Sequence, residues 1–424
     1  MTTTHGFGRS EAGIATLGGR PIPYLLEEAG VTTPAYFYDL SAIRDRIQRL
    51  EAAFGSAAHV VAYAVKANSA GSIVRTLLGA GAGIDAVSGG ELELCQRLGA
   101  PARKTVLSGV AKLDREIDQA IGADILAIQA ESVEELQRID ARAKALGRKA
   151  RVAVRVNPAV EIDSHAHVST GHDKAKFGIL ARDLGAAFEV LRGAPAVTLV
   201  GVSTHVGSML KATAPYLESA RVVCDVASEA LAKGHALEYV NFGGGYGIDY
   251  GPGPLPDPSE YVAQALGYLQ KRDLGRLMLV IEPGRSMVGP FGILVATVVQ
   301  SKQSGTEPGD ERRWLMVDAG MNDLMRPALY QAVHRIEPVH ALPGGTPQRV
   351  VGPVCESTDD FGEFPLNGQP ELVVIRDAGA YGFTMASEYN GRALPAEVFV
   401  DEGRVVHVSP SPGVESWINR RLGA

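Results

Sequence analysis

The stretch VVAYAVKANS, Val60 to Ser69, is apolar for six residues and then sets down a lysine, Lys66. A short apolar run of this kind reads as a strand buried on both faces, the pattern of a parallel sheet. A buried ammonium is unfavourable unless it is paired or neutral. A lysine at the end of an interior strand therefore needs a reason.

The pattern repeats from about residue 60 to 282. Further strands are predicted at 83–87, 105–107, 125–128, 151–156, 199–205, 239–242 and 278–281, after a first at 60–65. Helical patterns such as GGELELCQRLGA and ESVEELQRIDARAKALG separate them. The second offers Ser132 as an N-cap with Glu135 three residues on, a capping-box signature, and Gly147 and Gly234 follow their helices as C-caps. Eight such strands alternating with helices predict an α/β fold, a closed (β/α)8 barrel, whose usual span is roughly 250 residues. An open doubly wound sheet is the rival reading.

After Pro283 the texture changes. GILVATVVQS, RRWLMVDA, QRVVGPV, ELVVIRDAG, PAEVFV and RVVHVS are strand-like and separated by turns, which predicts a second, mostly β domain. The barrel is assigned to residues 36–285 and the β-rich domain to 1–35 plus 286–424, with Ala35–Tyr38 as a candidate extra strand of the latter.

The 424 residues are 46% hydrophobic and 21% charged, ordinary for a globular chain of two or three domains. A net charge of -7 argues against nucleic acid or an anionic membrane as partner. No apolar run approaches the roughly 20 residues that span a bilayer, and MTTTHGFGRSEAG lacks the apolar centre of a secretory signal. Cys95, Cys224 and Cys355 are too widely spaced for a disulfide scaffold or zinc site and fit a reducing compartment. A cytoplasmic protein is expected. His165, His167 and His172 cluster in sequence, but no metal is expected there.

In a parallel α/β barrel the chemistry sits at the C-terminal strand ends. There the sequence places Lys66, Asn68, Asp85, Ser88, Ser108, Gln129, Arg155, Asn157, His205 and Ser208, then GGGYG (Gly243–Gly247) and EPGR (Glu282–Arg285). Each alone reads as a loop or core residue; together they suit one chemistry. An amine at an apolar strand end is readily deprotonated and can form a Schiff base with an aldehyde. Backbone N–H groups of GGG, with Ser208, can cradle a phosphate. Glu282 can keep a pyridine nitrogen protonated while His205 lies against the ring. These are the needs of pyridoxal phosphate.

The blocks YAVKAN, DAVSGGE, RVNP, STGHDKAKFGI, HVGS, GGG, EPGR, DAGMNDLMRPALY, GPVCES and RDAGAYGFTMASEYNGR resemble, in this order, those of the diaminopimelate decarboxylases. That family belongs to the fold-type III pyridoxal-phosphate enzymes, with the eukaryotic-type ornithine decarboxylases and alanine racemases. The resemblance runs from about Pro34 to Arg404. It implies a homodimer with shared active sites that releases CO2 from meso-2,6-diaminopimelate to give L-lysine. By motif, Lys66 is the Schiff-base lysine and His205 stacks on the cofactor ring. Asp85, Arg155, Ser208, Gly243, Gly244, Gly245, Glu282, Gly284, Arg285 and Tyr381 resemble its other cofactor contacts. Arg285, Arg326, Tyr330 and Tyr381 resemble substrate contacts, with two arginines and a tyrosine for the far carboxylate. Cys355 and Glu356 would come from the neighbouring subunit, Cys355 as proton donor and Glu356 as partner of the far ammonium.

Three positions depart from the pattern: Met209 where glutamine is usual, Tyr246 where leucine is commoner, and Thr358 where glycine is usual. The alternatives are a relative acting on ornithine, D-lysine or carboxynorspermidine, a racemase, and a non-catalytic cofactor carrier. Ornithine-type relatives usually carry aspartate after the cysteine, so Glu356 with Arg326 argues against them. Racemases of this type use a tyrosine as second acid/base and lack CES. The carriers are single barrels, so residues 286–424 speak against that reading.

Overall fold

The computed structural model describes residues 6–160, 176–305, 311–341 and 344–423. His165, His167 and His172 lie outside the described residues. The chain forms two compact units, one of Arg46–Ile248 with Pro254–Met287, the other of Met1–Asp45, Asp249–Gly253 and Val288–Ala424.

The first unit holds eight parallel strands: β1 (His59–Ala64), β2 (Gly83–Ala86), β3 (Thr105–Leu107), β4 (Ala127–Ala130), β5 (Ala150–Asn157), β6 (Val197–Ser203), β7 (Tyr239–Gly244) and β8 (Met278–Glu282). Neighbours in sequence pair in turn, and β8 pairs back onto β1 with Val280 opposite Val60. The ring is closed, as a (β/α)8 barrel requires, and the open-sheet alternative falls. One apolar cluster joins Val60, Ala62, Val106, Ala127, Ala153, Val200, Tyr239 and Val280 from strands around the ring, which places it inside. Gly201 makes room for the Tyr239 ring, since a Cβ there would lie 2.5 Å from it.

The fourth strand sits two residues later than the predicted 125–128. The Leu126 N–H donates to the carbonyls of Ala102 and Thr105, so Ile125 and Leu126 form the approach to the strand. Gln129 thereby falls inside β4. Ser132 caps its helix as expected, its Oγ accepting the Glu135 N–H at 3.1 Å. The other half of the box is diverted: the Glu135 carboxylate takes the Glu131 N–H at 2.8 Å and the buried Lys112 ammonium at 3.0 Å.

The second unit is mostly β. Its main sheet runs Asp360–Leu366, Thr346–Val351, Arg312–Val317, Gly292–Ser304, Ala35–Asp39, Ala396–Asp401, Arg404–Ser409. Ala35–Asp39 lies between Gly292–Ser304 and Ala396–Asp401, so the domain boundary at 36 is corrected: this unit keeps the chain through Asp45. It also takes in the loop Asp249–Gly253, where the Asp249 carbonyl accepts from Arg335 at 2.9 Å, and it resumes at Val288 rather than 286. Its core joins Leu17, Ile22, Leu25, Phe37, Ile293, Val295, Val374 and Val398. The unit is not all β: Ile22–Ala29, Arg326–Tyr330 and Gly413–Leu422 are helices.

Glu397 on this sheet is buried and accepts the Tyr38 hydroxyl at 2.9 Å. Burial raises its carboxyl from the usual range to about 7. The neutral acid is thus the form that suits the fold, and stability from this group is lost as pH rises through 7. Glu397→Gln, which keeps an acceptor for Tyr38, is expected to raise Tm at pH 8 and leave it nearly unchanged at pH 5. Melting curves at the two pH values check this; an equal shift at both would contradict the assignment.

Candidate active site

Lys66 lies in a single 3-10 turn, Val65–Ala67, directly after β1. That turn rests on Gly284, where a Cβ would come within 3.1 Å of Ala64 and Ala67. The Lys66 Nζ is 3.0 Å from Asp85 Oδ2 on β2. Asp85 is wholly buried, whereas the lysine side chain keeps 36% of its surface exposed. The apolar run therefore ends in an ion pair open on one side, not in the apolar surroundings expected of Lys66. Asp85 Oδ1 is buried without a hydrogen-bond partner among the described residues. A buried carboxylate oxygen left unsatisfied marks a place for a donor.

Glu282 closes β8 and is buried. Burial, with the nearby Asp85 charge, raises its carboxyl to about 7; Lys66 and the side-chain donors of Asn241 and Gln129 oppose that rise. Asn241 Nδ2 donates to Glu282 Oε1 at 2.6 Å, and Gln129 Nε2 donates to the same oxygen. His205 follows β6. Burial, then the charges of Lys66 and Arg155, hold its ring well below its ordinary pKa. Its Nδ1 accepts the Gly244 N–H at 3.3 Å, so the neutral ring carries its proton on Nε2. The 3.8 Å approach of Nδ1 to Glu282 Oε2 is therefore not an ion pair.

Two of the three glycine amides expected to meet a phosphate have partners within the chain: Gly243 donates to Asn241 Oδ1 at 2.8 Å, and Gly244 to His205. Backbone crowds this loop, since a Cβ on Gly244 would lie 2.0 Å from the Glu282 carbonyl oxygen and one on Gly245 2.1 Å from that of Gly207. Arg285 donates from Nε and Nη2 to Ser208 Oγ at 3.3 and 3.1 Å. Arg155 is held by Glu131, Nη1 to Oε1 at 2.6 Å, and Glu131 is fixed in turn by the Gly178 N–H at 2.8 Å.

The remaining expected residues belong to the β-rich unit. Arg326 and Tyr330 bound one short helix, Arg326–Tyr330. Arg326 is buried and donates from Nη1 to Tyr250 OH at 2.9 Å and to His334 Nε2 at 2.8 Å. His334 Nδ1 faces the Arg376 carbonyl at 2.9 Å, which only accepts, so His334 is protonated there and offers a lone pair to Arg326. Cys355 is exposed, its backbone N–H donating to Asn390 Oδ1 at 2.9 Å. Glu356 Oε1 accepts from Tyr389 OH at 2.5 Å, which raises the Tyr389 pKa. Tyr381 stands at φ +57°, a left-handed conformation uncommon for a non-glycine residue.

The barrel group fits pyridoxal phosphate in donor chemistry. It has an amine, an acid held near neutral pH, a neutral flat ring, a glycine-rich loop with Ser208 and Arg285, and an orphaned oxygen on Asp85. Residues 40–289 match the family model described as pyridoxal-dependent decarboxylase, pyridoxal binding domain. The diaminopimelate decarboxylase of Neisseria meningitidis serogroup B is 39% identical over 384 residues, 90% of each chain. The chain belongs to the diaminopimelate decarboxylase family. The Aquifex aeolicus member is 37% identical over 88% of each chain. Among solved structures, the diaminopimelate decarboxylase of Helicobacter pylori complexed with L-lysine aligns with a TM-score of 0.85 at 34% identity, covering 93% of this chain and 98% of that one. The M. jannaschii enzyme in co-complex with L-lysine gives 0.89 at 33%, covering 99% and 98%.

Within this family the three departures differ in kind. Tyr246 is buried against Tyr216 and Tyr261, its hydroxyl 3.1 Å from that of Tyr216, and so alters packing. Met209 adopts φ +67° after Ser208. Thr358 is exposed, Oγ1 3.6 Å from Met321 Sδ. Glu131, Asn241, His334, Tyr389 and Asn390 hold expected site residues in place, though no motif singles them out. Asn241 carried a signal, being a polar residue inside the apolar run YVNFGG, and Glu131 another, at the end of β4.

Proposed function

We propose that the protein decarboxylates meso-2,6-diaminopimelate at its D end, giving L-lysine and CO2 as the last step of lysine biosynthesis, with pyridoxal 5'-phosphate as cofactor. The observation that carries this is likeness over nine-tenths of the chain to enzymes of that name. The cofactor, when bound, supplies an electron sink for the pair left by the departing carboxylate. Lys66 would hold its aldehyde; Ser208, Tyr381 and, within Gly243–Gly245, the Gly245 amide its phosphate, since Gly243 and Gly244 donate to Asn241 and His205; Glu282 its ring nitrogen. Asp85, Arg155, Gly284 and Arg285 would complete its surroundings, with neutral His205 against the ring.

The two ends of the substrate are chemically alike, so selection of the D end depends on gripping the L end. Arg285, Arg326 and Tyr330 suit its carboxylate and Glu356 its ammonium. Cys355 Sγ delivers the proton that takes the place of CO2 on carbon. A homodimer is part of this reading: the exposure of Cys355 and Glu356 on a single chain is what residues serving a neighbour's site require. The cytoplasm is the compartment that suits three free cysteines; no helix among the described residues is long and apolar enough to cross a membrane.

The test is CO2 release from meso-, LL- and DD-diaminopimelate, ornithine and D-lysine in turn. Turnover of the meso compound well above all others is expected. Release from ornithine without release from the meso compound would overturn the substrate assignment.

A further inference from the structure

Glu282 is held in a way that its presence in EPGR does not announce. The Gly243 N–H can only donate, so the atom of Asn241 facing it must be the amide oxygen, at 2.8 Å. The Asn241 NH2 therefore faces Glu282, and Oε1 must accept from it at 2.6 Å. Gln129, from across the barrel on β4, brings a second NH2 to the same oxygen. Both amides are buried, so water does not relieve the arrangement. A proton on Oε1 would meet two donor hydrogens. Oε2 lies on the side of His205 Nδ1, whose lone pair already takes the Gly244 N–H.

We infer that Gln129 and Asn241 are positioning residues that confine the Glu282 proton to Oε2 and join the acid to the glycine-rich loop. The inference rests on the pyridoxal-phosphate reading of the barrel. Its chemical content is a chain of contacts, Gly243 N–H to Asn241 Oδ1 and Asn241 Nδ2–H to Glu282 Oε1, ending in the one oxygen left able to exchange a proton with a ring nitrogen. A plain buried carboxyl would take its proton on either oxygen. Two donors on Oε1 also favour the carboxylate, against the burial that favours the acid. The charged and titratable groups around Glu282 are Asp85 from β2, Lys66 after β1, His205 after β6, Tyr239 on β7, and Tyr216 and Tyr246 beyond it.

The test uses holoenzyme loaded with pyridoxal phosphate and two near-isosteric variants. Gln129→Met removes one donor; Asn241→Leu removes the other without placing a second carboxylate beside Glu282. The readout is the pH titration of the bound cofactor's absorbance, with cofactor affinity and far-UV circular dichroism measured alongside. Each variant is expected to retain the cofactor and move the titration upward by about one pH unit or more, as loss of a donor to a carboxylate does. Glu282→Gln is expected to lose the transition. Variants that lower only melting temperature or affinity, with the titration unmoved, would reduce both amides to structural groups and overturn the inference. A transition that persists in Glu282→Gln would also overturn it, by assigning the proton elsewhere. Failure of the wild type to bind the cofactor would be a separate result, refuting the underlying reading as well.

Discussion

Lys66→Ala is expected to lose turnover by roughly a thousandfold or more, the scale set by removing a group that acts covalently or moves protons. The substitution removes the amine from the turn after β1 and leaves Asp85 buried without its 3.0 Å partner. Breaking a fully buried pair costs roughly 3–5 kcal/mol. Lys66 keeps 36% of its side chain exposed, so solvent already screens this pair and the cost is well below that range. The variant should therefore fold, with circular dichroism like the wild type, while the absorbance of lysine-bound cofactor disappears. Persistence of that absorbance without added amine would remove Lys66 as the anchor.

Cys355→Ala is expected to cut turnover by roughly 10²–10⁴-fold, the range for a positioned acid, with cofactor absorbance unchanged. The thiol is exposed, and the hydrogen bond to Asn390 is made by the Cys355 backbone N–H, which alanine keeps, so removing the thiol leaves no cavity and little loss of stability. Mixing this variant with Lys66→Ala separates shared from self-contained sites. Random exchange of subunits makes half the dimers mixed, and each mixed dimer rebuilds one intact site, restoring about a quarter of wild-type activity. No recovery after exchange would place Cys355 and Lys66 of one chain in the same site. Unchanged turnover in Cys355→Ala alone would sink the proton-donor role.

The residues that could be read from sequence were those that violate their surroundings. Lys66 after an apolar run and Glu282 after MLVI are charges at the ends of interior strands: Lys66 stands in the turn directly after β1, and Glu282 closes β8. The barrel was legible because its strands are short, apolar and spaced by amphipathic helices. What resisted reading was pairing between distant segments. Ala35–Tyr38 is legible as a strand of the β-rich unit, but not which segments it joins, Gly292–Ser304 and Ala396–Asp401, which lie more than 250 residues on. Glu131 and Asn241 are polar residues whose purpose lies in one atom of another strand or loop, and spacing along the chain does not encode that contact. Glu135 fitted a local capping rule, yet Lys112 and Glu131 claimed its carboxylate, because a buried ammonium outweighs a solvated helix end.

The central claim is chemical and stereochemical at once, and one measurement addresses both parts. Purified protein with pyridoxal phosphate is incubated with meso-2,6-diaminopimelate, CO2 is counted, and the amino-acid product is resolved on a chiral column. The account predicts CO2 and L-lysine in equal amounts, with D-lysine absent. D-lysine as the product, or lysine-free consumption of substrate without CO2, would contradict it.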